Sequence, residues 1–174
     1  MHNIWQKIGG LVLALFLLAV LSGCTSKMKK FNVVVTADQS ISDKTVEIDL
    51  VGVNLGDVPM WNSIKMSEYW TQNNTYRENA LKYDMKFVAS GPSQQTLKKN
   101  DNIWKLWSSN RVTHLFIMAH LPGVHDDRVG IADDRRTVVR LEKVCWGMFA
   151  GKIEIKVNSA NVTCITQPPK CPIE

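Results

Sequence analysis

The densest run of chemically able side chains is His125-Asp126-Asp127-Arg128-Val129-Gly130-Ile131-Ala132-Asp133-Asp134-Arg135-Arg136. Four carboxylates and an imidazole within twelve residues are raw material for a hard-cation site, because calcium takes about six to eight oxygen ligands. Three arginines share the run, and each offers a carboxylate a permanently charged partner close by. The spacing also departs from the D-x-[DN]-x-[DN]-G calcium loop. The expectation is a solvated loop held by Arg–Asp pairs, without metal; a hydrolase using the 125–136 carboxylates is the enzyme alternative. His114 and His120 bracket an apolar stretch at even spacing, so on a strand they share a face. Two such imidazoles could ligate a metal or exchange protons. Nothing is spaced to serve as their nucleophile or carboxylate partner, and Leu115-Phe116-Ile117-Met118-Ala119 between them reads as core. No G-x-S-x-G elbow, phosphate-cradling glycine loop or HExxH helix occurs. The expected inventory is no catalytic residue, no cofactor and no metal.

Aromatic residues are the other conspicuous resource. Of six tryptophans, Trp61, Trp70, Trp104 and Trp107 fall in segments with short helical patterns. Each indole buries a large area, so they could plug the ends of a β-sandwich. Alternatively they are candidates for partner binding, because exposed Trp anchors many protein interfaces. The net charge of +5 is mild and interspersed, with no basic stripe carrying interleaved aromatics, so nucleic acid is not an expected partner.

The compartment is written at the start of the chain. Lys7 precedes an uncharged run from Ile8 to Leu21. As a helix these residues would rise roughly 21 Å, short of a hydrocarbon core of about 30 Å. A basic n-region, an apolar h-region and small residues at a cleavage point describe a signal peptide better than a span. The small residues are Ser22 and Gly23, followed by Cys24. Leu21-Ser22-Gly23-Cys24 resembles the lipobox of bacterial lipoproteins. The resemblance implies cleavage before Cys24, acylation of its thiol and new N-terminus, and a lipid bilayer as partner through acylated Cys24. Two or more acyl chains anchor stably where one does not. Thr25, in place of the Asp that marks inner-membrane retention in enteric-type lipoproteins, implies the periplasmic face of the outer membrane. Residues 24–30, with Lys27, Lys29 and Lys30, are expected to be a solvated lipidated tether.

Removing residues 1–23 leaves 151 residues and lowers the net charge from +5 to +4. That is enough chain for one domain, residues 31–174, with a real core. An extracytoplasmic address permits disulfides among Cys145, Cys164 and Cys171. Sequence alone does not select the pairing. The expected bond is Cys164–Cys171, bridging the turn Thr166-Gln167-Pro168-Pro169, with Cys145 reduced and buried.

The elements that position these groups are mostly strands. Phe31–Ala37 is short and β-branched, and Thr45–Val53 alternates, with Val46, Ile48 and Leu50 on one face and Glu47 and Asp49 on the other. From Pro59 to Leu81 the pattern turns helical, with Ser67 and Asn74 as caps. Tyr83–Ala89 is strand-like, and Asp101–Trp107 reads as a capped short helix. Val112–Leu121, ended by Pro122-Gly123, reads as a central strand buried on both faces. Further strands are expected at 137–141, 152–157 and 161–166. Seven or so strands with no repeated βαβ unit predict a mainly β protein, an antiparallel β-sandwich with short helical inserts.

This pattern resembles the outer-membrane lipoprotein of the bacterial type VI secretion system, across about residues 24–157. The resemblance rests on an early strand after the lipidated cysteine, a second alternating strand and a late apolar strand. It implies a scaffold or interaction component of an envelope complex, with a protein partner engaged through the loop between the first strands, here Asp38–Lys44. A ligand- or glycan-binding lipoprotein is the alternative.

Overall fold

The computed structural model describes residues 27–147 and 150–171. The expected signal peptide, residues 1–23, and Cys24 lie outside the described residues. Two four-stranded sheets pack face to face. One has the order β4-β1-β7-β8 and the other β3-β2-β5-β6. The strands are β1 Asn32–Ala37, β2 Val46–Asn54, β3 Lys82–Phe87, β4 Gln94–Leu97, β5 Val112–Ala119, β6 Arg136–Arg140, β7 Lys152–Val157 and β8 Val162–Cys164. The mainly β sandwich is as expected, with one exception to its antiparallel character: β1 and β7 pair in parallel, Val33 opposite Ile153. Strands so far apart in sequence need no hairpin between them, so either direction is open to them.

β2 shows how sequence parity builds the layers. Val46, Ile48 and Leu50 point between the sheets and join Val33, Val35, Ile153 and Ile155 in the main core. Val51 and Val53 point the other way and join Phe116, Met118 and Val138 under a helical lid. That lid comprises α1 Val58–Ser63 and α2 Met66–Tyr69, which lay Trp61, Ile64, Met66 and Tyr69 on the sheet. Each such side chain contributes about 1.5–3 kcal/mol of gross hydrophobic stabilisation. The lid makes a third layer, and it is why β5 is buried from His114 through Ala119. A strand covered on both faces has no reason to alternate.

Local chemistry sets the helix boundaries. Asn54 accepts from the Asp57 N–H at 3.1 Å, and Pro59 occupies the first turn of α1, where its missing N–H is harmless. Asn74 caps α3 (Thr75–Glu78) by accepting from the Arg77 N–H at 3.0 Å. Ser67 does not cap α2; the N-cap is Lys65, and the Ser67 N–H donates instead to Asp127 at 2.9 Å. α4 (Ile103–Ser109) places Trp104 and Trp107 against the main core. Trp107 lies so close to β2 that only glycine fits beneath it: a Cβ on Gly52 would stand 2.5 Å from the ring.

Residues 28–30 belong to the fold, correcting the expectation of a free tether from 24 to 30. Met28 bridges to Glu142, the Lys29 N–H donates to the Leu141 carbonyl at 2.7 Å, and the Lys143 N–H donates to the Lys27 carbonyl at 2.8 Å. The Lys29 ammonium donates to the Gly147 carbonyl at 2.7 Å. Backbone pairing and an ammonium-to-carbonyl bond outweigh the solvation that a lysine-rich stretch would otherwise favour.

Candidate interaction site

The 125–136 run is anchored from within. Asp133, Arg135 and Arg136 are buried, at 0 %, 4 % and 2 % exposure, which corrects the solvated loop expected from composition. The Arg–Asp pairs are present: Arg135 Nη2 meets Asp133 Oδ2 at 2.8 Å and Asp127 Oδ1 at 2.6 Å. Among the described residues Arg136 makes no ion pair. Its guanidinium donates to the carbonyls of Trp61 (2.7 Å), Gly130 (2.8 Å) and Ile64 (3.2 Å), so it welds the loop to the end of α1. Burial pulls the Arg136 pKa below its usual value. Burial also opposes ionisation of Asp127, but the Ser67 and Arg135 hydrogen bonds prevail and hold its pKa down to about 2. Fixed in this way, the loop presents Val129 at 78 % and Ile131 at 46 % exposure. Among the described residues no three His, Cys, Asp or Glu side chains are grouped to hold a metal ion.

A second polar cluster lies where the helical lid ends. Asp49, whose side chain is 1 % exposed, accepts from Tyr69 Oη and from Arg77 Nε, each at 2.8 Å. Arg77 also reaches Glu47 at 3.1 Å, lies 4.3 Å from the Trp70 ring centroid, and so stands over an indole that itself stacks on His120 at 5.0 Å. Burial drives the Asp49 pKa up against the Arg77 and Tyr69 hydrogen bonds. The same burial, reinforced by the Asp49 carboxylate, drives the Tyr69 phenol far up. Around them a cleft of about 710 Å³ is lined by Glu47, Asp84, Lys82 and Lys86. Its charges are paired with one another, Lys86 with Glu47 at 3.5 Å and Lys82 with Asp84. The cluster clamps the lid to β2, and the exposed Glu78 carboxylate also lines the cleft.

The aromatic candidates separate accordingly. Trp104 and Trp107 are fully buried and Trp61 is 7 % exposed, so none offers a surface to a partner. Trp70 is half-buried in the Arg77–His120 stack. His114 and His120 lie on the same face of β5 and its extension. His114 is buried, with Nδ1 2.8 Å from Thr113 Oγ1, and burial lowers its pKa; His120 is exposed. They form no pair.

The disulfide joins Cys145 to Cys171, with Cα atoms 5.0 Å apart, and among the described residues Cys164 is the free thiol. This corrects the expected Cys164–Cys171 bond. Cys164 on β8 pairs opposite Ile155 of β7, and its thiol donates to the Thr166 carbonyl at 3.1 Å. The tail then turns back, its Lys170 N–H donating to the Cys145 carbonyl at 3.3 Å, which brings Cys171 beside Cys145. Burial pushes the Cys164 thiol up to about 12.

The loop expected to meet a partner, Asp38–Lys44, sits at the end of the sandwich opposite Leu55. Asp38 Oδ1 accepts from the Ser40 N–H at 2.9 Å, and Ile41 is buried. The Ser42 carbonyl accepts from Ser90 N–H, and Ser40 Oγ from Ser159 N–H, both at 3.1 Å. These ties join it to the β3–β4 and β7–β8 turns, leaving a rigid polar rim with Val88 48 % exposed. Composition did not expose the Arg135/Arg136 anchor, because burial of an arginine on carbonyls has no fixed spacing.

No family model matches the chain, and no curated protein matches it in sequence. Solved structures do match in fold. Lip of Serratia marcescens, a membrane-bound component of the type VI secretion system, aligns over 80 % of this chain and 98 % of its own, with a TM-score of 0.50 and 10 % identity. A chain of a type VI membrane complex aligns over 80 % of this chain and 100 % of its own, with a TM-score of 0.53 and 12 % identity. At such identities the likeness is one of fold. The chain has a sandwich fold similar to those of Lip and of this type VI membrane-complex chain.

Proposed function

We propose that this protein is a lipid-anchored scaffold of an envelope complex of the type VI secretion kind, held at the periplasmic face of the outer membrane and without enzymatic activity. The observation that carries the reading is a sandwich like that of Lip over nearly the whole of that chain, following Leu21-Ser22-Gly23-Cys24. The internal pairing of the two polar clusters supports it, since their charged groups are used for rigidity. Rigid loops suit a scaffold, because preorganised surfaces lose less entropy on binding. Its partners are the bilayer, through acylated Cys24, and an envelope protein engaged at the rim that includes Asp38–Lys44. The test is site-specific photo-crosslinking from Gln39 and Ser93 in membranes of the source cells. A cross-link from this rim to an inner-membrane protein of the secretion apparatus supports the reading. Cross-links only to unrelated soluble proteins would overturn it.

A further inference from the structure

We infer that the domain docks flat against an anionic lipid surface by the end of the sandwich that carries Lys27, Leu55, Arg111, Lys143 and Val144. The inference rests on acylation of Cys24 and goes beyond it, because an anchor alone leaves orientation free.

The chain length fixes the distance. Residues 27–30 are fastened to the 141–143 segment, so only Thr25 and Ser26 separate Cys24 from the folded body. At roughly 3.3–3.6 Å per residue, the three steps from Cys24 to Lys27 reach about 10 Å at most. A headgroup layer is about 5–8 Å deep, so Lys27 stands within a few ångströms of the bilayer surface and the residues around it face the bilayer.

What surrounds Lys27 is suited to it. Lys27, Leu55 and Arg111 line one groove. Lys143 is hydrogen-bonded to Lys27 through the backbone and is followed by Val144. Leu55 and Val144 are 64 % and 65 % exposed, and Lys27, Arg111 and Lys143 are exposed. The acid in the groove, Glu142, is buried and paired with Arg140, leaving the rim positive. Arg111 is held at φ +54°, a conformation that glycine would adopt without strain. Aliphatic side chains flanked by cations are the composition that seats a surface in the headgroup layer. In this pose β2, nine residues or about 30 Å long, carries the opposite rim, with Asp38–Lys44 and Val88, out into the aqueous space.

The experiment uses the full chain, purified from membranes and checked for acyl mass, in vesicles of phosphatidylethanolamine and phosphatidylglycerol. Nitroxide labels are placed at Leu55→Cys, Val144→Cys and Val88→Cys, and collision with oxygen is compared with collision with a water-soluble nickel chelate. The docked pose gives an oxygen preference several-fold higher at 55 and 144 than at 88. Lys27→Glu, Arg111→Glu and Lys143→Glu each weaken docking roughly fivefold on the anionic vesicles. Three equally aqueous labels on an acylated, vesicle-bound chain overturn the docked pose and leave the anchor standing. A chain that carries no acyl group and does not float with vesicles overturns both. An unchanged depth when phosphatidylcholine replaces phosphatidylglycerol overturns the role of the cations.

Discussion

Replacing Gly52 by alanine tests the contact on which the α4–β2 junction depends. An ideal Cβ there falls 2.5 Å from both Cδ1 and Nε1 of Trp107 and 2.8 Å from Cε2. Trp107 cannot withdraw freely, because it is fully buried and its indole N–H donates to the Leu81 carbonyl at 2.7 Å. It also packs edge-on against Trp104 at 4.9 Å. Overpacking a close-packed site costs about 1–3 kcal/mol, and losing the indole hydrogen bond adds about 0.5–1.5 kcal/mol. The sum is about 2–4 kcal/mol, which for a domain of this size lowers Tm by roughly 5–15 °C. Thermal unfolding followed by circular dichroism, with the near-ultraviolet tryptophan bands as a second probe, reads both terms. Gly147→Ala is the control, since among the described residues nothing lies within 4 Å of a Cβ there. If Gly52→Ala melts with the parent while keeping its tryptophan bands, the packing argument fails.

Arg136→Ala strands the carbonyls of Trp61, Gly130 and Ile64 in a buried site, and urea titration should show a loss of about 3–5 kcal/mol. Cys171→Ser opens a disulfide spanning 26 residues, with an expected loss of about 3 kcal/mol; in the same unfolding experiment the parent's Cys164 should react with a thiol reagent only once denatured, because burial holds its pKa up to about 12. Asp127, with its pKa held down to about 2, contributes stability that is complete above the ordinary carboxylate range near 4 and is lost as pH falls through about 2. Asp127→Asn should therefore flatten that part of the acid unfolding curve.

Strand parity made much of the fold legible. The alternation of Val46, Ile48 and Leu50 with Glu47 and Asp49 marks β2, and the unbroken Leu115–Ala119 run marks a strand covered on both faces. β4 escaped notice because Gln94-Gln95-Thr96 is polar, as an edge strand with a solvated face can be. The parallel pairing of β1 with β7 is a long-range choice with no local sign. The helical segments were visible, but not that one of them would roof the second sheet. The candidate site was less legible. Its cations looked solvated because a composition-based reading sees Arg135 and Arg136 as charges, whereas backbone carbonyls and two aspartates make burial tolerable. The disulfide is not legible in the spacing, because Cys164 is nearer in sequence to Cys171, yet the returning tail bonds to the Cys145 carbonyl through the Lys170 N–H and seats Cys171 beside Cys145.

Type VI secretion by the source cells, with Cys24→Ala placed in the chromosome, tests the central proposal most directly. Cys24 precedes the described residues, so the described domain should keep its melting temperature while the chain loses its acyl group and leaves the membrane fraction. The account predicts that secretion is then abolished, as expected of a scaffold that must stand at the outer membrane. Undiminished secretion with a soluble, unacylated chain would contradict it.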